Sequence, residues 1–237
     1  KLFGVNAELL IDHAWGYEPC TMAMVKAYKP ETNSICSGQV LHCPYDFEQA
    51  RLVVKEMTDL MVLDMVDKKL VTDQIVVTVG YDIENLNNTE RRKNYHGEVT
   101  IDRYGRRIPK HAHGTTNLPQ QTSSTRMIMN AVMELYDRIV DKNLLIRRIN
   151  ITANRLVAEE MTKKEEVYEQ LDLFTDYEIK RKQQAEEEAV LDREKRVQEA
   201  MLSIKKKFGK NAVLKGMNLQ KGATAMDRNE QIGGHKA

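Results

Sequence analysis

"LLIRRINITANRL" occupies residues 144–156, and within it apolar and polar side chains take turns. Ile149, Ile151 and Ala153 share one parity, whereas Arg148, Asn150, Thr152 and Asn154 share the other. Successive side chains of a strand point to opposite faces, so this stretch predicts a β-strand with one face in a core and one face wholly polar. Outward from it, "DQIVVTVGYD" (73–82) repeats the period, with Ile75, Val77, Val79 and Tyr81 on a single face. "SICSGQVL" (34–41) is short, β-rich and bounded by turn residues, and reads as a strand. "KHAHGTTNL" (110–118) reads as another, with His111, His113, Thr115 and Asn117 on its polar parity.

Two helical patterns lie between these strands. Asp46 is placed as an N-cap before Phe47, Ala50, Val54, Met57 and Met61, and Ser123 or Ser124 before Ile128, Val132, Leu135 and Ile139. Residues 83–109 are a polar excursion with one small strand expected at 98–102. The order is β-α-β-β-α-β, an α+β arrangement of one sheet with two helices on the same face. Its other face can stand in water.

The net charge of +1 hides segregation. Residues 91–155 hold 13 Lys/Arg against 5 Asp/Glu, a local excess of +8 to which His96, His111 and His113 add, while residues 1–90 hold 7 against 14. Such a basic block attracts a polyanion. No apolar run approaches the roughly 20 residues of a membrane helix, and a soluble cytoplasmic protein is expected. Cys20, Cys36 and Cys43 are odd in number and lack a C-x-x-C spacing, so reduced, structural thiols are expected. "KLFGVNAELL" opens the chain without an initiator Met and directly on a helical pattern, as the C-terminal part of a longer protein would.

Beyond Arg155 the chain turns acidic, then basic. Thr175-x-x-Glu178 has the form of a capping box, and a long charged helix is expected from about Asp176 to Phe208, ended by Gly209. Just outside it lies "QLDLF" (170–174), whose form Gln-Leu-x-Leu-Phe matches the consensus peptide by which bacterial replication and repair proteins dock on the sliding clamp. Gln170 would anchor through its amide, and Leu173 and Phe174 would fill a hydrophobic pocket on the partner. The plainer alternative is a helical stripe of Val167, Leu171 and Phe174 packed on the domain.

Other patterns carry weaker chemistry. Asp82 and Glu84 have a spacing that two metals could use, but lone pairs of this kind are usually solvated turn residues. His111 and His113 would share a strand face, yet no third metal ligand stands at a recognisable spacing. Lys205, Lys206, Lys207 and Lys210 suit either a phosphate or the negative end of the helix dipole. Trp15 and Tyr17 read as packing anchors. No Walker loop and no G-x-G-x-x-G run is present.

Taken together, "HAWGYEP", "KAYKPETNSICSGQVL", "GEVTIDRYGRRIPKHAHGT" and "QLDLF" resemble the C-terminal part of bacterial Y-family DNA polymerases, the UmuC- and DinB-like translesion group. The tail "FGKNAVLKGMNLQKGATAMDRNEQIGGHKA" looks like the ending of one bacterial branch of that family. The resemblance implies an end of the thumb and a tether at 1–32, a little finger gripping template-primer DNA at 33–157, and a clamp-binding, helical tail at 158–237. It further implies DNA contacts at Ser37, Gly38 and Gln39, at Gly114 and Thr115, and at Arg147 and Arg148, to which the polar parity adds His111, His113 and Asn150. Gln170, Leu171, Leu173 and Phe174 match the clamp peptide. The family's palm and fingers have no counterpart here, so this chain alone should not polymerise, and magnesium is expected only in the missing palm. A role in damage bypass, DNA repair and the SOS response follows from the same resemblance. The competing reading is a non-catalytic interaction module whose helical tail is a scaffold.

Overall fold

The computed structural model describes residues 6–28, 33–102, 104–162 and 177–230. The chain divides into two compact units, residues 1–33 and 34–237. The first holds α1 (Asn6–Ala14) and α2 (Met22–Ala27), the latter capped where the Met24 N–H donates to Thr21 Oγ1 at 3.2 Å. Trp15 and Tyr17, expected as packing anchors, are exposed.

The second unit runs β1 (Ile35–Tyr45), α3 (Phe47–Asp67), β2 (Leu70–Tyr81), α4 (Glu84–Asn87), α5 (Thr89–Asn94), β3 (Val99–Ile101), β4 (Arg107–Pro109), β5 (Ala112–Thr122), α6 (Thr125–Ile139), β6 (Ile146–Asn154), β7 (Val157–Ala158), α7 (Tyr177–Phe208) and α8 (Ala225–Asn229). The expected β-α-β-β-α-β order is present, with a small β3–β4 hairpin inside the polar excursion and β7 as a short partner to the start of β2. The main strands lie in the order β1-β6-β2-β5, every neighbour antiparallel.

Both core helices begin at the caps their sequences carry. At α3 the Gln49 N–H donates to Asp46 Oδ1 (2.8 Å) and the Asp46 N–H donates back to Gln49 Oε1 (3.3 Å), a reciprocal box. Ser124 caps α6 by accepting from the Met127 N–H at 3.3 Å. The helices cover one face of the sheet. There Ile75, Val77, Val79, Ile149, Ile151 and Ala153 are fully buried against Ala50, Val53, Val54, Met57, Ile128 and Val132. Each large aliphatic chain so buried contributes about 1.5–3 kcal/mol, which makes this layer the main source of stability. Tyr136 lies within it, donating its hydroxyl to the Phe47 carbonyl at 2.9 Å. Burial pushes its pKa far above the usual tyrosine value.

α3 is buried on more than the expected stripe: Thr58 follows Val54 by one turn and donates its hydroxyl to the Val54 carbonyl at 2.8 Å, and Glu56 and Asp59 are also inaccessible. Glu56 and Asp59 are covered by the tail, which packs over the outer side of the helices. Ser124 Oγ and the Arg126 N–H donate to Glu194 of α7 at 2.6 and 2.9 Å, and Gln198 Nε2 donates to the Ser123 carbonyl and Thr125 Oγ1 at 3.0 and 2.8 Å. α7 ends at Gly209, whose φ of +98° a side chain would resist. In its last turn Lys206 pairs with Asp67, and beyond Gly209 Lys215 Nζ reaches Asp59 Oδ1 at 2.5 Å and Asn218 Nδ2 donates to Glu56 Oε1 at 2.8 Å. The tail therefore folds back over α3 as a strap.

Candidate nucleic-acid interface

The sheet face away from the helices is built in rows by strand register. Gly38 of β1, Asn150 of β6, Thr78 of β2 and His113 of β5 lie side by side; Cys36, Thr152, Val76 and Thr115 form the next row. Asn154, Gln74 and Asn117 form a third, tied by side-chain bonds from Asn154 Nδ2 to Gln74 Oε1 (3.3 Å) and from Gln74 Nε2 to Asn117 Oδ1 (3.0 Å). At the other end Val40, Arg148 and Gly80 are aligned. In the middle row Thr78 Oγ1 and His113 Nδ1 are 2.9 Å apart. The face is thus mainly polar, interrupted by Val40, Val76 and Cys36, and side-chain hydrogen bonds link its neighbours in two of the rows.

Two glycines shape it. A Cβ at Gly38 would stand 2.6 Å from Asn150 Oδ1, and one at Gly80 would stand 3.3 Å from Arg148 Cβ. Their absence of a side chain is what lets Asn150 and Arg148 lie across neighbouring strands. Arg148 is exposed and has no ion-pair partner among the described residues, leaving its guanidinium available to an anion. Next to it the register shifts, since Gly80 faces Arg148 while Tyr81 faces Ile146. Arg147 occupies that irregularity, where a bulge re-aims a side chain, and its Nε stands 3.8 Å from Asp82 Oδ2. His111 precedes β5 and packs edge-on to His113 with ring centroids 6.4 Å apart.

Three of the expected contact residues do not share this face. Ser37 and Gln39 alternate with Gly38 and point to the helix side, where both accept from Arg228, and Gly114 lies under α6, so close that a Cβ there would meet Leu135 and Ile139 at 2.8 and 3.0 Å. The period of two separates neighbours in a run such as 37–39, so at Ser37, Gln39 and Gly114 only the main chain stays at the sheet edges. Gly38, His111, His113, Thr115, Arg148 and Asn150 do come together, with Arg147 beside them. Asp82 belongs to a turn: its Oδ1 accepts from the Glu84 N–H at 2.8 Å. Among the described residues no three His, Cys, Asp or Glu side chains gather to hold a metal. Lys205 Nζ donates to the Lys210 carbonyl at 2.6 Å, closing the end of α7. Gln170, Leu171, Leu173 and Phe174 lie outside the described residues, as does Thr175 of the capping box.

Arg228 and Glu56 escaped sequence reasoning. Burial draws the Arg228 pKa down from the usual arginine value, and the Glu56 carboxylate acts in the opposite sense. The signal that could have found them was a pair of carboxylates, Glu56 and Asp59, inside an apolar helix, facing a tail whose residues 201–237 hold 8 Lys/Arg against 2 Asp/Glu.

Residues 32–173 match the model of the impB/mucB/samB family C-terminal domain. No curated protein matches the chain. Among solved structures, it is similar to the chain of a complex of β-clamp processivity factor and little finger domain of PolIV, at 6% identity and a TM-score of 0.34, over 60% of this chain and 100% of that one. It is also similar to a post-insertion binary complex of Dbh DNA polymerase, at 12% identity and a TM-score of 0.32, over 64% of this chain. There the matched region spans 36% of the polymerase's length. No helix among the described residues is long and apolar enough to cross a membrane.

Proposed function

We propose, from the premise that this chain belongs to the impB/mucB/samB family, whose C-terminal domain it carries at residues 32–173, that it is the DNA-holding and clamp-docking portion of a damage-bypass DNA polymerase. The observation that carries the reading is the exposed Arg148, without an ion-pair partner among the described residues, standing with Asn150, Thr78 and His113 on a sheet face whose reverse side is the core. Such a face offers cations and hydroxyl or amide groups without a base-reading helix or loop, which suits the phosphates of duplex template-primer DNA. Gly38 and Gly80 keep the side of the face at β1 and β2 low, so a duplex can approach Arg148 and Asn150 closely. The peptide Gln170, Leu171, Leu173 and Phe174 would tether the protein to the sliding clamp, raising its effective concentration at the primer end.

The rest of the reading follows from the family. Polymerisation and its magnesium would reside in a palm outside this chain. The setting would be the bacterial cytoplasm during the SOS response. The test is binding of the 237-residue chain to labelled duplexes of unrelated sequence. Arg148→Glu is expected to weaken binding to all of them alike, by about tenfold at low salt if the guanidinium stands about 6 Å from a phosphate across water, because two unit charges change sign of interaction. A loss confined to one sequence would contradict backbone holding.

A further inference from the structure

Among the described residues β1 pairs with β6 alone, which makes it an edge strand, and an edge turns alternate N–H and C=O groups away from the sheet. The Gly38 carbonyl is one of these, since it accepts from Arg228 Nη2 at 3.3 Å and Arg228 comes from the tail, not from a strand. In an antiparallel ladder the N–H and C=O of one residue point the same way, so the Gly38 amide also faces outward. It points away from β6, where Asn150 is the partner of Gly38 and stands on the polar face. A phosphate approaching that face from the β1 side would meet this amide.

The same guanidinium grips the residues on either side. Arg228 Nη1 donates to Gln39 Oε1 at 3.1 Å, and Nη2 also donates to Ser37 Oγ at 3.0 Å. One planar fork thereby fixes three consecutive residues of an edge strand from the covered side, a geometry that an ammonium cannot reproduce. Its own position is set remotely: the N–H groups of Thr224 and Ala225, at the start of α8, donate to the buried Glu56 carboxylate at 2.7 and 3.2 Å. Asn229 Nδ2 adds a bond to Asn211 Oδ1 at 2.8 Å.

We propose that Arg228 is a positioning residue for DNA holding, and that the strap's seat on Glu56 exists to deliver its guanidinium to the back of β1, preorganising the outward Gly38 amide for a phosphate. This rests on the sheet-face reading above. Order established before binding is not charged against affinity, so loosening Ser37, Gly38 and Gln39 weakens binding without removing a cation from the DNA.

The test measures duplex affinity of the 237-residue chain over a series of salt concentrations, with a thermal melt of each variant to confirm folding. Arg228→Ala is expected to bind about tenfold more weakly, the loss of roughly one well-placed hydrogen bond to an anion. Its salt slope should equal that of the wild type. Arg228→Lys should recover only part of the affinity. The pair Ser37→Ala, Gln39→Ala leaves the Glu56 seat intact and should reproduce the loss, which keeps the test decisive if Arg228→Ala fails to fold. Wild-type affinity in that pair or in a folded Arg228→Ala overturns the proposal. A loss accompanied by a slope smaller by about one unit also overturns it, because the guanidinium would then be a direct phosphate ligand. Absence of binding by the wild type would remove the sheet-face reading and this one with it. If wild type and Arg148→Glu behave as expected while Arg228→Ala matches wild type, only the positioning role falls.

Discussion

Replacing Glu56 by alanine should release the strap while the sheet and its two helices stay folded. The carboxylate is 1% exposed and accepts from Asn218 Nδ2 at 2.8 Å, from the Thr224 N–H at 2.7 Å and from the Ala225 N–H at 3.2 Å. Each hydrogen bond to a charged acceptor is worth about 1.5–3 kcal/mol. The donors regain water once the strap lifts, so the net cost of the substitution is nearer about 3 kcal/mol than the sum of the three, or roughly a hundredfold in the ratio of seated to lifted strap. Glu56→Gln keeps the shape with a single acceptor oxygen and should fall between. Hydrogen exchange at the Thr224 and Ala225 amides reads the seat, and urea unfolding reads the domain. Unchanged protection of those two amides, or loss of the whole fold in one step with the strap, would refute the reasoning.

Four further outcomes are expected. Gly80→Val should push Arg148 aside, since a Cβ there already comes within 3.3 Å of it. Duplex affinity should fall while the melting temperature changes little. Arg51 ties α3 to α6 by donating from Nε and Nη2 to the two Asp137 oxygens at 2.8 and 2.9 Å, and this bond holds the Asp137 carboxyl below its usual pKa. A depressed carboxyl contributes stability that is present above its unfolded pKa of about 4 and lost as pH falls through the lower folded value. Asp137→Asn should therefore cost about 0.5–1 kcal/mol at neutral pH, for a pair this exposed, and flatten the acid limb of a stability–pH curve. Tyr136→Phe should lose the buried bond to the Phe47 carbonyl and about 1 kcal/mol in urea unfolding, with the α3–α6 packing otherwise kept. Calorimetry with a sliding clamp should show binding by the chain that disappears in the Gln170→Ala, Phe174→Ala double variant; equal binding by both would remove the docking role of 170–174.

The strands could be found from sequence because each half-buried strand writes its burial into every second residue, as Ile149, Ile151 and Ala153 do against Arg148, Asn150 and Thr152. The polar face followed from the same alternation, including His113 and Thr115. β4 was missed because Arg107-Ile108-Pro109 is too short to show a period. Ser37, Gln39 and Gly114 came from the family resemblance, and alternation sends their side chains to the helix side while their main chain stays on the edge strands β1 and β5. The strap was hidden for a different reason: its contacts join Glu56 to Asn218, Thr224 and Ala225 across more than a hundred and fifty residues, through single polar groups that leave no periodic trace. The charge of the tail hinted at a partner, and the partner was α3.

The account stands most directly on the salt dependence of duplex binding by the unmodified chain. With Arg147 and Arg148 each releasing counterions, and further cations of the basic block adding to them, the logarithm of the binding constant should fall linearly against that of salt with a slope of about −2 or steeper, on any duplex sequence. A flat dependence, or no binding at low salt, would contradict the assignment of the open sheet face to DNA.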